Sequence, residues 1–200
     1  MILAKHQARS PWLLWALLSA PALVWLIEAR DLAGFDLEAL LQPTGELSAR
    51  LLILALMLTP LARLFPRVYV TAWLVRRRRA IGVAAFGYAV LHTLFYVLAM
   101  GSIADMAAEF SAPGIWTGWA ALLLMLPLAL TSNDAAMRWL RAGWKRLQRL
   151  AYPVAILTLA HWVLVHDSWQ VAALHFVPLA LLQAWRMLNL YPDAIYPKEN

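Results

Sequence analysis

A chain of 200 residues, of which 63% are hydrophobic and only 14% are charged, has far more apolar surface than a globular core of this size encloses. Its mean hydropathy of +0.65 predicts an integral membrane protein that uses lipid as a second solvent. The absence of cysteine excludes disulfides, cysteine-ligated iron–sulfur clusters and covalently attached haem, so any redox cofactor must be held non-covalently.

Six mostly apolar segments follow one another along the chain, and each approaches the roughly 20 residues that cross a bilayer as a helix. The predicted helices cover residues 11–27, 47–64, 80–100, 115–130, 147–165 and 171–190. Pro60 is expected to interrupt the second of them. The sequence therefore predicts an all-α transmembrane bundle of six helices, which forms one domain over residues 1–200.

Charged residues separate onto two sides when these segments are counted off alternately across a membrane. Most basic residues fall on one side, which carries the arginine run 76–79, the segment 138–149 and both termini. Most acidic residues fall on the other side. Because cytoplasmic loops are enriched in Lys and Arg, this bias predicts cytosolic termini. It also assigns the net charge of +6 to membrane topology and predicts no nucleic-acid partner.

Two histidines are predicted to lie at matching depth, because the third and fifth segments both run outward from the basic side. His92 follows Arg79 by 13 residues, and His161 follows Arg149 by 12 residues. At 1.5 Å per residue, both imidazoles lie roughly 18–20 Å from the inner edge of the membrane. Two neutral imidazoles at one level can ligate a haem iron from both faces. The alternative is that each histidine only hydrogen-bonds a neighbouring helix.

The residues that precede each histidine predict an apolar cleft. On the third segment, Gly82, Ala85 and Ala89 share a helical face with His92 and leave room for a flat macrocycle. On the fifth segment, an aliphatic stripe leads to His161. A haem in this cleft would contact hydrocarbon on most sides.

Three arginines are further candidate site residues. Arg50 follows Glu46 by four residues, a spacing that favours a helical ion pair, and the alternative role of Arg50 is to neutralise haem propionates. The arginine run 76–79 is expected to fix topology and to contact lipid headgroups. Within it, Arg78 and Arg79 are candidates to contact a flavin phosphate or a quinone.

Several short motifs occur in an order and spacing typical of one family. They are Thr44-Gly45, residues 58–63 (LTPLAR), 78–82 (RRAIG) and 88–93 (YAVLHT), Tyr96, residues 130–132 (LTS) and 136–138 (AMR), Trp144, and residues 149–152 (RLAY) leading to His161. From about residue 10 to residue 190, the chain resembles the MsrQ family. These are haem-binding membrane subunits of periplasmic methionine-sulfoxide reductase systems, within the ferric-reductase-like transmembrane superfamily.

The resemblance implies an electron-transfer subunit of the bacterial inner membrane rather than a catalytic subunit. Members of this family take electrons from the quinone pool or a cytosolic flavin reductase, and they carry haem b and often FMN. They reduce a periplasmic molybdopterin-dependent subunit that repairs methionine sulfoxide. His92 and His161 match the family's haem ligands. Gln148 stands where most relatives have histidine, and glutamine is a poor iron ligand, so we expect no haem to depend on this position.

Two other functions would use the same residues differently. An intramembrane metal-binding or transport protein would use His92 and His161 with further carboxylate, cysteine or histidine ligands at that depth. In a cofactor-free membrane anchor, both histidines would be packing residues. A reducible haem absorption spectrum distinguishes the electron-transfer function from both alternatives.

Overall fold

The computed structural model describes residues 11–31, 37–166 and 169–188, which form helices and turns without a strand. The helices are α1 (Pro11–Asp31), α2 (Leu37–Leu64), α3 (Tyr69–Met100), α4 (Ile103–Glu109), α5 (Pro113–Leu130), α6 (Asp134–Leu140), α7 (Ala142–Leu147), α8 (Ala151–Val165) and α9 (Trp169–Met187). A 3-10 turn at Gln148–Leu150 joins α7 to α8.

The prediction of an all-helical membrane protein is confirmed. Four helical segments of the described chain are long and apolar enough to cross a bilayer: Leu37–Leu64, Tyr69–Met100, Pro113–Leu130 and Ala142–Val165. Helix α1 contains a shorter apolar stretch, Trp12–Ile27, and α9 is not one of the four. Both helices lie where the sequence predicts them, whereas the six-span count and the cytosolic termini stay predictions.

Helix boundaries differ from the prediction mainly at the amino-terminal ends. Helix α2 begins at Leu37 rather than near residue 47, and α3 begins at Tyr69 rather than at residue 80. These extra turns contain polar or basic residues, which lower the local hydropathy without breaking a helix as it leaves the membrane. The short helices α4, α6 and α7 occupy stretches that were expected to be loops. The predicted end of the last helix, Leu190, lies outside the described residues.

Pro60 does not interrupt α2, contrary to the prediction from the sequence. It is buried inside the helix, which continues to Leu64. A proline removes the donor for the carbonyl four residues earlier, which here belongs to Leu56. The side chain of Gln183 in α9 donates its Nε2 hydrogen to that carbonyl at 3.0 Å. The helix therefore continues because a neighbouring side chain replaces the lost hydrogen bond.

Two antiparallel helix pairs form the centre of the bundle. Helix α2 packs along α3 and α5 packs along α8, the two most extensive helix contacts of the described chain. Ser48 donates to the carbonyl of Ala85 at 2.8 Å across the first pair. Helix α1 joins α3 through Tyr88, whose hydroxyl donates to the carbonyl of Leu18 at 2.6 Å. In this arrangement α3 and α8 run in the same direction.

The two ends of the bundle differ in charge. The end that we call the basic end carries the arginine run 76–79 and the positive residues of segment 138–149. The opposite end, which we call the acidic end, carries Glu38, Asp105 and Glu109. A cavity lies near each end among the described residues, and His92, His161, Arg78 and Arg79 line these two cavities.

Candidate functional site

His92 of α3 and His161 of α8 meet inside the bundle. Their ring centroids lie 6.0 Å apart, and the ring planes are inclined at 78°. The depth matching predicted by residue counting therefore corresponds to two neighbouring imidazoles that line one cavity. Their use as metal ligands remains a prediction.

The hydrogen bonds of the two rings define which nitrogen is free. His92 Nδ1 lies 2.9 Å from the carbonyl oxygen of Leu41, and His161 Nδ1 lies 2.7 Å from that of Gly114. A carbonyl only accepts, so Nδ1 carries the proton in both rings. In the neutral tautomer this leaves Nε2 with a free lone pair on each side. The same use of the second nitrogen is general among metal-ligating histidines.

The space around the rings is a cavity of about 400 Å³ near the acidic end, which we call the histidine cavity. This volume lies in the range of about 300–1,000 Å³ that is usual for small-molecule sites. Small and apolar residues, including Ala89, Ala121 and Leu122, form most of its wall. Glu38 and Glu46 are also among its lining residues.

The donor set and the spacing fit a metal-centred macrocycle. Bonds between metals and imidazole nitrogen are about 2 Å long, so two imidazoles that share one metal have ring centres roughly 6 Å apart. The observed separation is 6.0 Å. A Cβ placed on Gly45 would lie 2.9 Å from His92 Nδ1, and one placed on Gly118 would lie 2.8 Å from His161 Nδ1. Each ring is therefore seated against a glycine, where a larger residue would displace it.

Arg50 lies beside this cavity and is not among the described residues that line it. Its guanidinium forms an ion pair with Glu46 and donates from Nε to His175 Nε2 at 3.2 Å. The helical ion pair expected from the spacing is therefore present. His175 stacks on Trp162, with ring centroids 5.4 Å apart, and so connects Arg50 to the wall of the cavity.

A second cavity of about 370 Å³ lies at the basic end, and we call it the arginine cavity. Five cationic residues are among those that line it: Arg78, Arg79, Lys145, Arg149 and Arg186. Aromatic rings also contribute, from Phe86, Trp144 and Tyr152. The combination of cations and flat rings suits a planar ligand that carries an anionic group.

The two predicted arginines of this cavity already have partners. Arg78 donates to the hydroxyl of Thr59 at 2.8 Å, and Arg79 donates to a carboxylate oxygen of Asp134 at 2.7 Å. The hydrogen bond and charge of Arg79 lower the pKa of Asp134, which lies outside the candidate spans. Both arginines are therefore held at the cavity wall by protein groups.

Gln148 also lines the arginine cavity, and its contacts are structural. Its Nε2 donates to the carbonyl of Leu128 at 3.2 Å and lies 3.3 Å from the hydroxyl oxygen of Thr131. Leu128 lies in the last turn of α5, where carbonyls lack helical donors. The side chain thus attaches the 3-10 turn to the end of α5.

Met125 is the one described residue that lines both cavities. It lies on α5 and is buried. The two cavities therefore follow one another along the bundle, with this thioether side chain between them.

Sequence reasoning missed the partners of the histidines. The carbonyls of Leu41 and Gly114 have no sequence signature, because every residue carries a carbonyl. The two glycines that contact the histidines, in contrast, do have a sequence signature. Thr-Gly occurs only twice in the chain, at residues 44–45 and 117–118, and each glycine seats one of the histidines.

The metal-transport alternative requires a group of three or more ligand side chains. Within the described ranges, no three His, Cys, Asp or Glu residues are placed to hold a metal ion together. That alternative therefore finds no support in the described part of the chain.

The fold and the histidine pair define an all-helical membrane protein with a cofactor-sized cavity between its helices. Residues 44–159 match the family model described as ferric reductase like transmembrane component. No solved structure matches the chain.

Three curated relatives carry the same name, protein-methionine-sulfoxide reductase heme-binding subunit MsrQ. The one from Xanthomonas axonopodis pv. citri (strain 306) is 35% identical over 168 residues, which are 82% of this chain and 75% of the relative. The one from Xanthomonas campestris pv. campestris (strain 8004) is 38% identical over 148 residues, 72% of this chain and 66% of the relative. The one from Caulobacter vibrioides (strain ATCC 19089 / CIP 103742 / CB 15) is 35% identical over 190 residues, 86% of this chain and 85% of the relative. The chain therefore belongs to the MsrQ family of ferric-reductase-like transmembrane proteins.

Proposed function

We propose that the chain is a b-type haem electron-transfer subunit that passes electrons to a periplasmic methionine-sulfoxide reductase subunit. The observation that carries the proposal is the pair of imidazoles, His92 and His161, with ring centres 6.0 Å apart in a cavity of about 400 Å³. The relatives are named as heme-binding subunits, in agreement with this assignment. Because the chain has no cysteine, the haem would be held non-covalently, as haem b is.

In this proposal His92 and His161 would hold the haem iron, each through the Nε2 that its Nδ1–H hydrogen bond leaves available. A bound haem would supply a reversible one-electron couple between ferric and ferrous iron. The protein holds both rings through carbonyl hydrogen bonds and lines most of the site with apolar side chains.

We assign the propionates of the haem to Arg50. Two carboxylates, Glu38 and Glu46, line the cavity, whereas no described lining residue is a Lys or Arg. Anionic propionates need a compensating cation in a site of low dielectric constant. Arg50 is paired with Glu46, so a small change of its side chain would bring the guanidinium to the cavity.

We propose that the arginine cavity holds the electron-delivering cofactor, FMN, with Arg78 and Arg79 at its phosphate. Its cationic side chains favour a phosphate, whereas its aromatic residues can stack on a flat ring. A quinone has no phosphate and would leave the five cations without a ligand charge, so the charge of the cavity favours the flavin. Met125 lines both cavities, so this one side chain lies between the two proposed cofactor sites.

The direction of electron transfer across the membrane is assigned from the charges of the two ends of the bundle. We assign the basic end to the cytosol, where a flavin reductase or the quinone pool supplies electrons, and the acidic end to the periplasm. The histidine cavity near the acidic end then faces a molybdopterin-dependent catalytic partner. This arrangement corresponds to six spans in the bacterial inner membrane with both termini in the cytosol.

The test is the absorption spectrum of the purified protein in detergent. We expect a Soret band, a b-type pyridine haemochrome, and reduction of the band by NADH with a flavin reductase or by a quinol. A preparation that stays colourless after haem supplementation during expression and after purification would overturn the proposal.

A further inference from the structure

His92 meets α2 at two residues, and a third residue lies at the same hydrogen-bond acceptor. Its Nδ1–H donates to the carbonyl of Leu41. The hydroxyl of Thr44, which is 1% exposed, donates to the carbonyl of Leu40 at 2.6 Å and lies 3.1 Å from the Leu41 carbonyl oxygen that accepts from His92. Gly45 lies under the imidazole, where a Cβ would approach Nδ1 to 2.9 Å. The acceptor carbonyl, the threonine and the glycine therefore occupy positions n, n+3 and n+4 of one helix.

His161 meets α5 in the same way. Its Nδ1–H donates to the carbonyl of Gly114. The buried hydroxyl of Thr117 lies 2.8 Å from this carbonyl oxygen and also 2.8 Å from that of Pro113. Gly118 lies under the imidazole, where a Cβ would approach Nδ1 to 2.8 Å. The positions are again n, n+3 and n+4.

We propose that Thr44-Gly45 and Thr117-Gly118 are positioning residues that form two equivalent clamps, one for each axial histidine. Each clamp fixes the orientation of its imidazole and sets the strength of its Nδ1–H hydrogen bond. The proposal rests on the proposed haem function and adds the residues that tune the two ligands. The duplication in the α2–α3 and α5–α8 pairs gives the two faces of the haem closely similar ligand environments.

The glycine of each clamp determines how closely the ring approaches the neighbouring helix. Helices of membrane proteins approach closely where small residues lie at the contact. A methyl group at position 45 or 118 would occupy space now taken by ring atoms, so the ring must move away from its acceptor carbonyl. That movement would lengthen the Nδ1–H hydrogen bond and shift Nε2 at the same time.

The single hydroxyl hydrogen of each clamp threonine lies between two carbonyls, and one of these accepts from the imidazole. The two distances are equal at 2.8 Å for Thr117, whereas Thr44 is closer to Leu40, so the effect of the hydroxyl should be larger at His161 than at His92. A carbonyl oxygen that already accepts a hydroxyl hydrogen is a weaker acceptor for a second donor. Removal of the hydroxyl should therefore strengthen the Nδ1–H bond and make the ligand more basic. A more basic ligand favours ferric over ferrous iron, so the midpoint potential should fall.

The first experiment measures the hydrogen bonds without haem. Apo protein with ¹⁵N-labelled histidine is reconstituted in lipid nanodiscs, and the Nδ1–H resonances are assigned with the H92A and H161A variants. We expect a downfield shift of the His92 resonance in T44V and of the His161 resonance in T117V. T158V is the matched control, because Thr158 lines the same cavity and bonds to the carbonyl of Val154, which accepts from neither histidine.

The second experiment measures haem-loaded protein. We expect a lower midpoint potential in T44V and in T117V, and a further decrease in the double variant. G45A and G118A should lose at least tenfold in haem affinity, whereas G87A should bind haem normally, since a Cβ at Gly87 meets no atom within 4 Å. If G45A or G118A fails to fold, the two threonine variants, which preserve side-chain volume, decide the proposal.

The outcomes separate the clamps from the haem function. A haem-binding wild type whose Nδ1–H resonances and potential do not change in T44V and T117V would overturn the clamps and leave the haem function intact. Full haem affinity in folded G45A and G118A would also overturn them. If the wild type binds no haem but the Nδ1–H resonances shift as expected in T44V and T117V, the proposed function alone would be overturned.

Discussion

The two cavities of this protein are similar in volume and opposite in construction. In the histidine cavity, both imidazoles are fixed by backbone carbonyls and seated against glycines. The arginine cavity is lined by long cationic side chains, and two of them, Arg78 and Arg79, are paired with the hydroxyl of Thr59 and the exposed carboxylate of Asp134. The first construction suits a resident cofactor with fixed geometry. The second suits a ligand that binds by charge and can exchange.

The largest expected effect concerns the histidine cavity. Replacement of His92 or His161 by alanine removes one axial ligand and should abolish the Soret band of the purified protein. His175→Ala is the matched control, because this histidine lies outside the cavity lining and should leave the band intact. A full-size band in either H92A or H161A would show that the ligand pair is wrong.

The second prediction concerns the arginine cavity. Arg78→Gln and Arg79→Gln should each weaken FMN binding by roughly tenfold or more, because a hydrogen bond to a charged group contributes about 1.5–3 kcal/mol. Flavin fluorescence titration measures the affinity, and the haem content should not change. Arg77→Gln is the control, since Arg77 lies over the ring of Trp73 and is not among the cavity residues. Equal FMN affinities in all three variants would show that the flavin phosphate does not bind in this cavity.

A third prediction tests whether the two cavities are independent. Gln148→Ala removes the hydrogen bonds to Leu128 and Thr131 at the basic end, at a cost of about 1 kcal/mol in the free energy of unfolding. The haem band should persist at full size, because no axial ligand is changed. Loss of haem from a folded Q148A protein would mean that this position supports a haem after all.

The smallest effect is expected at the exposed pair of Arg79 and Asp134. Because Arg79 lowers the pKa of Asp134 in the folded protein, the pair stabilises the fold above the ordinary carboxyl pKa. This contribution is lost as the pH falls through the lowered folded pKa. Thermal unfolding between roughly pH 2 and pH 6 should show a small acid-dependent loss in the wild type that is reduced in Asp134→Asn. High salt should diminish the difference, whereas identical pH profiles would exclude the contribution.

Features that depend on hydrophobic periodicity or on overall composition could be predicted from the sequence. Apolar runs located the helices, and counting along α3 and α8 brought His92 and His161 to one level. Counting failed at the helix ends, where the polar turns of α2 and α3 resemble loops in composition. It also failed at Pro60, because the carbonyl of Leu56 is satisfied by Gln183, more than a hundred residues away along the chain.

Predictions of the candidate site were also limited by contacts between residues that are distant along the chain. Arg78 and Arg79 were identified from their position at the membrane edge, whereas Lys145 and Arg186 join them only through the packing of distant helices. The backbone acceptors of the histidines carry no residue-type signal. For Arg50, both partners suggested by the sequence remain relevant: Glu46 holds it in the structure, and the propionate role stays a proposal.

The central claim is that a haem lies between His92 and His161. It is tested most directly by haem quantification per chain, combined with electron paramagnetic resonance of the oxidised protein. We expect at least one haem b per chain, with a low-spin ferric signal typical of two histidine ligands that is lost in H161A. A protein that binds no haem, or an unchanged bis-histidine signal in H161A, would contradict the claim.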